Sequence, residues 1–317
     1  MSSSEQSAPM LTVRELRRQL RANDTARFER YGNDIVEAHL FQAGVKDISP
    51  LKGLPLRFLD LGMNDVDDLS SLEGMPLTAL ILENTKVSDI RVLKGMQLQR
   101  LEMQNTGVTD LSVLSGMPLQ QLNLMGLDIN DIRGFADLPL NTLWLVNTKV
   151  SDISPLQGKT LESLDVQGTK VSDLTPLADM KTLKRLNIAG TAVTDVSPLK
   201  DLPLERLTLT PESITTGMEL LRKIPSLTQI QTSMDGQGQS SAEFWQKYDA
   251  GVWKAADPAD SDKPAGQGST ESKAVPDAGK DKSTDQSETS EKPSPQDSAS
   301  ENRQTDEQKA PTEGSEK

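Results

Sequence analysis

A repeat of 21 residues constrains this chain more than any other feature. Branched aliphatic residues recur at that spacing from residue 45 to residue 171, and two more follow at 193 and 214. An aspartate stands two residues after each of the first eight. A period of roughly 20–29 residues is typical of a solenoid, in which each coil buries its apolar edge against the next coil. The aliphatic column is Val45, Val66, Val87, Val108, Ile129, Val150, Val171, Val193 and Ile214, and the aspartate column is Asp47, Asp68, Asp89, Asp110, Asp131, Asp152, Asp173 and Asp195.

Residues 45–65 show the expected physics of one coil. Leu56, Leu59 and Leu61 follow an L-x-x-L-x-L rhythm, and strand side chains alternate between two faces. The leucines therefore point into the coil and the residues between them point outward. Ser49-Pro50 is a helix-start signal, because proline at a first helical position lacks an N–H group that would have no partner there. Each coil is predicted to contain a short strand and a short turn.

These motifs resemble the bacterial leucine-rich repeat proteins of the short Val-x-Asp-Leu-Ser-Pro-Leu type, over roughly residues 11–253. The resemblance implies an α/β repeat solenoid: a curved array with a parallel β-sheet on its concave face, short 3-10 or turn segments on its convex side, and helical caps. The asparagine position of the family motif holds Asn64 once and otherwise mostly threonine, so a side-chain ladder at that corner is expected to be mostly hydroxyl.

Solenoids of this group are often attached to serine/threonine kinases. The sequence contains no glycine-rich phosphate loop, His-Arg-Asp or Asp-Phe-Gly motif, so kinase activity is not carried over. A regulatory or accessory subunit of a bacterial serine/threonine kinase system remains an alternative function, by family analogy.

Composition divides the chain into five parts. The last part has nine basic and 15 acidic residues and a single large aliphatic residue, too little apolar surface to offset the entropy of ordering. The parts are a disordered N-terminus (1–10), a cap helix with a degenerate zeroth repeat (11–44), eight repeats (45–213), a terminal repeat with an aromatic helical cap (214–253), and a disordered acidic low-complexity tail (254–317).

Both ends of the array are predicted to be capped. Val13, Leu16 and Leu20 form one apolar helical stripe, and the arginines on its other faces are either solvated or contact an acidic partner. Leucine and isoleucine positions from 220 to 227 suggest a longer last helix and a final strand. Ser240 and Glu243 form a capping-box pattern before an aromatic segment, for which a lid is favoured over a partner-binding motif. The aromatic residues of that segment are Phe244, Trp245, Tyr248 and Trp253.

Residue inventory argues against several function classes. With no cysteine and one histidine, His39, we predict no catalytic, cofactor or metal site, and a hydrolase is disfavoured. A net charge of −13 disfavours nucleic acid as a partner. No signal segment or apolar run of membrane length is readable, so a cytoplasmic monomer is expected and a surface role is disfavoured. The aspartate column is predicted to be structural, compensated by backbone N–H groups of the adjacent turn, with calcium binding as the minor alternative.

The outward strand positions provide the candidate binding site. An apolar group on two neighbouring coils, around an exposed Trp144, is the usual composition of an interface hot spot. The leading hypothesis is a non-enzymatic module that binds a protein partner on the concave face. The alternative is a purely structural role, in which Trp144 covers a packing defect. The proposed partner-binding residues are Glu102, Asn123, Met125, Trp144, Val146 and Asp165.

Overall fold

The computed structural model describes residues 12–232 and 239–253. Their strands form one open sheet of 11 strands in sequence order. The first two strands pair antiparallel, and every later neighbour is parallel. The strands are β1 (Arg27–Tyr31), β2 (Asp34–His39), β3 (Phe58–Asp60), β4 (Ala79–Ile81), β5 (Arg100–Glu102), β6 (Gln121–Asn123), β7 (Thr142–Trp144), β8 (Ser163–Asp165), β9 (Arg185–Asn187), β10 (Arg206–Thr208) and β11 (Gln229–Gln231).

A short 3-10 turn lies opposite the strand in each coil from β2 to β9, and a ninth turn, Pro211–Ser213, follows β10 directly. The third residue of each of the first eight turns is a buried leucine or phenylalanine, so the turn closes the apolar core from the other side. This alternation of strand and turn confirms the predicted repeat solenoid. The turns are Ser49–Leu51, Ser70–Leu72, Arg91–Leu93, Ser112–Leu114, Arg133–Phe135, Ser154–Leu156, Thr175–Leu177, Ser197–Leu199 and Pro211–Ser213.

The hydrogen bonds at the corner that follows each strand differ from the side-chain ladder that the sequence predicts. Asn64 does link neighbouring coils, since its amide donates to the carbonyl of Leu40 at 2.7 Å and its Oδ1 accepts the N–H of Val45 at 2.9 Å. The threonines at the equivalent positions bond inside their own coil: the Thr85 hydroxyl donates to the carbonyl of Leu82 at 2.7 Å. The expected hydroxyl ladder between coils is therefore wrong, because a threonine side chain is too short to reach past its own strand.

At the N-terminal end, helix α1 (Val13–Gln19) begins at Thr12, whose side chain accepts the N–H of Glu15. Leu16 is buried within it. Strand β1 was not anticipated: it folds back on β2 as a hairpin, and β2 then pairs with β3 as the zeroth coil. Four of the five β1 residues are exposed, so this strand lacks the apolar alternation that reveals a strand in a sequence.

At the other end, helix α2 (Met218–Leu221) has four residues, so the longer last helix that the sequence suggested is wrong. Helix α3 (Ser241–Asp249) starts with the capping box of Ser240 and Glu243. Phe244 is fully buried in the core and stacks on Trp253, with 4.9 Å between ring centroids. The aromatic segment thus faces inward and covers the last coil.

The predicted disordered segments, 1–10 and 254–317, lie outside the described residues. Among the helices of the described part, none has the length and apolar character needed to cross a membrane.

Candidate functional site

The outward side of the sheet, which we call the sheet face, is built by strict alternation along each strand. Leu143 and Leu145 are fully buried in the core, so Trp144 between them points outward. Parallel pairing in register puts Trp144 between Asn123 of β6 and Asp165 of β8. The side chains of neighbouring coils therefore form columns across the sheet face, as the repeat spacing predicts.

Met125 and Val146 belong to the next column, two residues beyond Asn123 and Trp144. The N–H of Gly126 donates to the carbonyl of Val146 at 2.9 Å, which holds the two coils together at this point. Val146 is only 4% exposed, and Trp144 and Met125 are half-buried. The prediction of an exposed Trp144 is therefore wrong in its extent: the side chain points outward but is half-buried. Strands stacked about 4.8 Å apart cover the flanks of each other's outward side chains.

Polar groups flank this apolar group on β8 and β9. The Asp165 carboxylate is 9% exposed and accepts the N–H of Gln167 at 3.0 Å and the Asn187 amide at 3.1 Å. Burial raises the pKa of Asp165, and these hydrogen bonds oppose the rise. On the other flank, the Asn123 side chain accepts the N–H of Met125 at 3.1 Å. Both flanks are thus fixed by bonds to their own strands.

This bond between an aspartate or asparagine and the N–H two residues later recurs on the sheet face. Asp60 and Asn187 make it as well, to Gly62 at 2.9 Å and Ala189 at 3.1 Å. Sequence reasoning missed the motif, although its signal is visible as a recurrent Asp or Asn after the central leucine of a strand. It fixes these polar side chains on the sheet face.

Glu102, the remaining predicted site residue, lies one coil before Asn123 in the same column. Arg100 is two residues earlier on the same strand, and its Nε donates to the Glu102 carboxylate at 2.7 Å. The negative charge of Glu102 is therefore neutralised within its own strand. The structure brings all six predicted residues to the same side of the sheet, with Glu102 at the edge, but Val146 and Asp165 are buried there.

Comparison with known proteins agrees with this geometry. No protein-family model matches the sequence, and no curated protein matches it. Among solved structures, internalin C2 from Listeria monocytogenes str. 4b F2365 is 32% identical, with a TM-score of 0.52 over 56% of this chain and 81% of that chain. This chain belongs to the leucine-rich repeat proteins. A second internalin, inlF from the same organism, is 21% identical with a TM-score of 0.51, over 68% of this chain and 86% of that chain, and it shares the fold.

The aspartate column of the leucine-rich repeats lies away from the sheet face, at the start of the 3-10 turns. Every one of the eight carboxylates accepts a backbone N–H two residues later, as an Asx turn. The donors are Ser49, Ser70, Arg91, Ser112, Arg133, Ser154, Thr175 and Ser197, at 2.7 to 2.9 Å.

Arginine partners strengthen two members of this column. Hydrogen bonds from the Arg91 and Arg133 side chains lower the pKa of Asp89 and of Asp131 to about 2. All eight aspartates are exposed, so their bonds start each turn in contact with solvent and bury no charge.

A second column, which the sequence analysis missed, follows strands β3 to β9 of the leucine-rich repeats in the left-handed backbone conformation. Met63, Asn84, Asn105 and Asn147 have φ between 53 and 57°, a region that costs most side chains about 1–2 kcal/mol. The Asn105 amide donates to Asn84 Oδ1 at 3.0 Å. Three glycines with positive φ occupy the same place in other coils: Gly126, Gly168 and Gly190. Asparagine and glycine there are the signal that marks this turn.

The single histidine lies at the N-terminal end of the sheet face. His39 Nε2 is 3.1 Å from a carboxylate oxygen of Glu37, and its ring packs on Phe58 with 4.7 Å between centroids. One ligand atom from each of Glu29, Glu37 and His39 lies within 4.8 Å of the other two. The histidine is thus part of a cluster, whereas the sequence predicted no metal-ligating group around His39, because strand β1 was not recognised.

Proposed function

We propose that this chain is a non-enzymatic protein-binding module and that its partner docks on the sheet face around Trp144. The observation that carries the proposal is the half-buried apolar pair of Trp144 and Met125 on two adjacent coils, packed over the buried Val146 and with polar groups on both sides. Large aromatic side chains surrounded by polar groups are the usual centres of protein interfaces.

The rim favours a partner that supplies both apolar surface and hydrogen-bond donors. Asp165 already accepts two hydrogen bonds, but an ionised carboxylate has room for about four. A donor from the partner would be drawn to this largely buried charge, while an apolar side chain packs against Trp144. Since the Asp165 and Asn123 side chains are held by their own strands, little ordering entropy is lost on binding.

The competing interpretation is that Trp144 fills a packing defect. Its side chain is half-buried, which that interpretation requires, but Leu143 and Leu145 already occupy the core positions on each side. The nearest irregular turn contains Arg133-Gly134-Phe135, where Phe135 is 1% exposed and takes the core position of the usual leucine. The core of these coils is therefore filled without the indole ring.

Photo-crosslinking tests the location of the partner. A photoreactive amino acid placed at Met125 is expected to capture the partner, whereas the same group at Tyr31 is not. Tyr31 is the matched control because it is the most exposed large apolar residue of the described part, at 83%, and lies on β1, six strands from β7. Equal capture from both positions would move the binding site away from the patch.

Once the partner is captured, its affinity for single-residue variants of this chain tests the hot spot. Trp144→Ala is expected to weaken binding by about 2 kcal/mol or more, roughly 30-fold, with little change in melting temperature. Tyr31→Ala is expected to leave affinity unchanged. Full affinity of Trp144→Ala would refute the hot spot, and a large loss of melting temperature in that variant would support the packing interpretation.

The identity of the partner decides the remaining hypotheses. Capture of a serine/threonine kinase would favour the accessory-subunit alternative over a general binding module. The expected monomeric state and cytoplasmic location remain predictions, which sedimentation of the full chain and fractionation of the source cells would test.

A further inference from the structure

The β1–β2 hairpin brings two glutamates to directly opposite positions. Glu29 pairs with Glu37 in the antiparallel register, and a bulge follows between Glu29 and Arg30. Like charges directly opposite one another destabilise an antiparallel pair. A positive charge at this position would therefore be favourable, and the residues around the pair determine what kind of cation fits.

An imidazole completes the group. His39 is two residues from Glu37 and so shares its face of the strand, with 3.1 Å between Nε2 and the carboxylate oxygen. Its ring packs on Phe58, inclined by 31°, which restricts rotation of the imidazole. The histidine ligand is thus held in place by packing, while the two carboxylates can adjust.

We propose that Glu29, Glu37 and His39 bind a divalent transition-metal ion of the Zn²⁺ type. Zinc binds histidine nitrogen and carboxylate oxygen at about 2.0–2.2 Å, so two ligands of a tetrahedral site are roughly 3.3 Å apart. The His39–Glu37 distance of 3.1 Å is already close to this value. The three ligand atoms lie within 4.8 Å of one another, so side-chain rotation of the exposed Glu29 closes the remaining gap.

The ligand set selects the class of metal. Imidazole favours zinc, copper, iron or nickel over calcium and magnesium, which prefer oxygen alone. Three protein ligands leave a fourth zinc position open. Because the site lies at the N-terminal end of the sheet face, that position is accessible to water or to a side chain from a bound protein.

Two charged neighbours act on the site. Arg27 is directly opposite His39 on β1, and it is the chain's own alternative source of positive charge for the glutamate pair. Asp60, next to His39 on β3, accepts the N–H of Gly62 at 2.9 Å, so its carboxylate is held by the turn. Arg27 therefore opposes the metal, and its removal is expected to strengthen binding.

The test is a Zn²⁺ titration of the full chain, free of any histidine tag, followed by calorimetry and by NMR. Since the chain has one histidine and no cysteine, a single set of imidazole signals reports the site. We expect one Zn²⁺ per chain and a shift of the His39 ring signals. His39→Ala is expected to weaken Zn²⁺ binding at least tenfold. Even the loss of a residue that only hydrogen-bonds to a metal ligand lowers metal affinity by roughly 10–100-fold.

Three further variants separate a metal site from general carboxylate binding. Glu29→Gln should also weaken binding although it retains His39, and Arg27→Gln should tighten it. Asp128→Asn, a control that removes an exposed carboxylate paired with Lys149, should leave binding unchanged. Equal Zn²⁺ affinity in the wild type and in His39→Ala, or loss of affinity in the control alone, would overturn the proposal. These measurements require no protein partner, so they stand or fall separately from the proposed function.

Discussion

Met63 provides the sharpest test of how the coils are held together. It has a φ of 57° and is 46% exposed, so its backbone is strained and burial of the side chain offsets little of that strain. The coils after it have Asn84 and Asn105 at the same place, and the Asn105 amide donates to Asn84 Oδ1. Met63→Asn should therefore relieve the backbone and add one further side-chain hydrogen bond to this ladder.

The predicted quantity is the difference in stability between Met63→Asn and Met63→Ala, since both variants lose the same apolar contacts of the methionine. Asparagine visits the left-handed region more readily than alanine, for which the cost is about 1–2 kcal/mol. An exposed hydrogen bond to Asn84 adds about 0.5 kcal/mol. Together these terms predict that the asparagine variant is more stable by about 1–2 kcal/mol, or roughly 3–6 °C in melting temperature for a domain of this size.

Thermal unfolding followed by circular dichroism measures this difference. Thr109 is the matched control position, because it is exposed and its φ is not positive, so Thr109→Asn and Thr109→Ala should melt within about a degree of each other. Met63→Gly should behave like Met63→Asn without the added hydrogen bond. An alanine variant at position 63 that melts as high as the asparagine variant would refute the left-handed column as a source of strain.

Three other perturbations follow from the structure. Asp110→Ala should lower the melting temperature by only a few degrees, because its bond to Ser112 is exposed and water replaces it, and added calcium should leave the melting curve unchanged. Asp165→Asn should remove part of the pH dependence of stability: burial raises the pKa of Asp165, so the ionised form costs stability above that pKa, and the wild type should gain stability relative to the variant as the pH falls through it, which a series of melting curves from pH 7 downwards would show. Phe244→Ala should cost about 3–5 kcal/mol in chemical denaturation, since the ring is fully buried on the core side of α3, and an unchanged midpoint would refute the lid.

The position of the candidate binding site was predictable from the repeat alone. Once the central leucines of successive coils are aligned, alternation determines which residues point outward, and parallel pairing determines their neighbours. Asn123, Trp144 and Asp165 are therefore adjacent in the structure as they are in the aligned sequence. The capping box of α3 was readable for a similar reason, because its two residues contact each other across three positions.

The degree of exposure and the ends of the array depended on tertiary structure. Periodicity shows that Trp144 points outward, but the coils on either side decide that it is half-buried. Strand β1 is mostly polar, and only its pairing with β2 makes it a strand and brings Glu29 to Glu37 and His39. In the sequence itself, a repeated local pattern determined the coil, because each coil meets the same neighbour contacts. Contacts that occur once, at a hairpin or a cap, leave no repeated pattern in the sequence. Only the tertiary structure determines them.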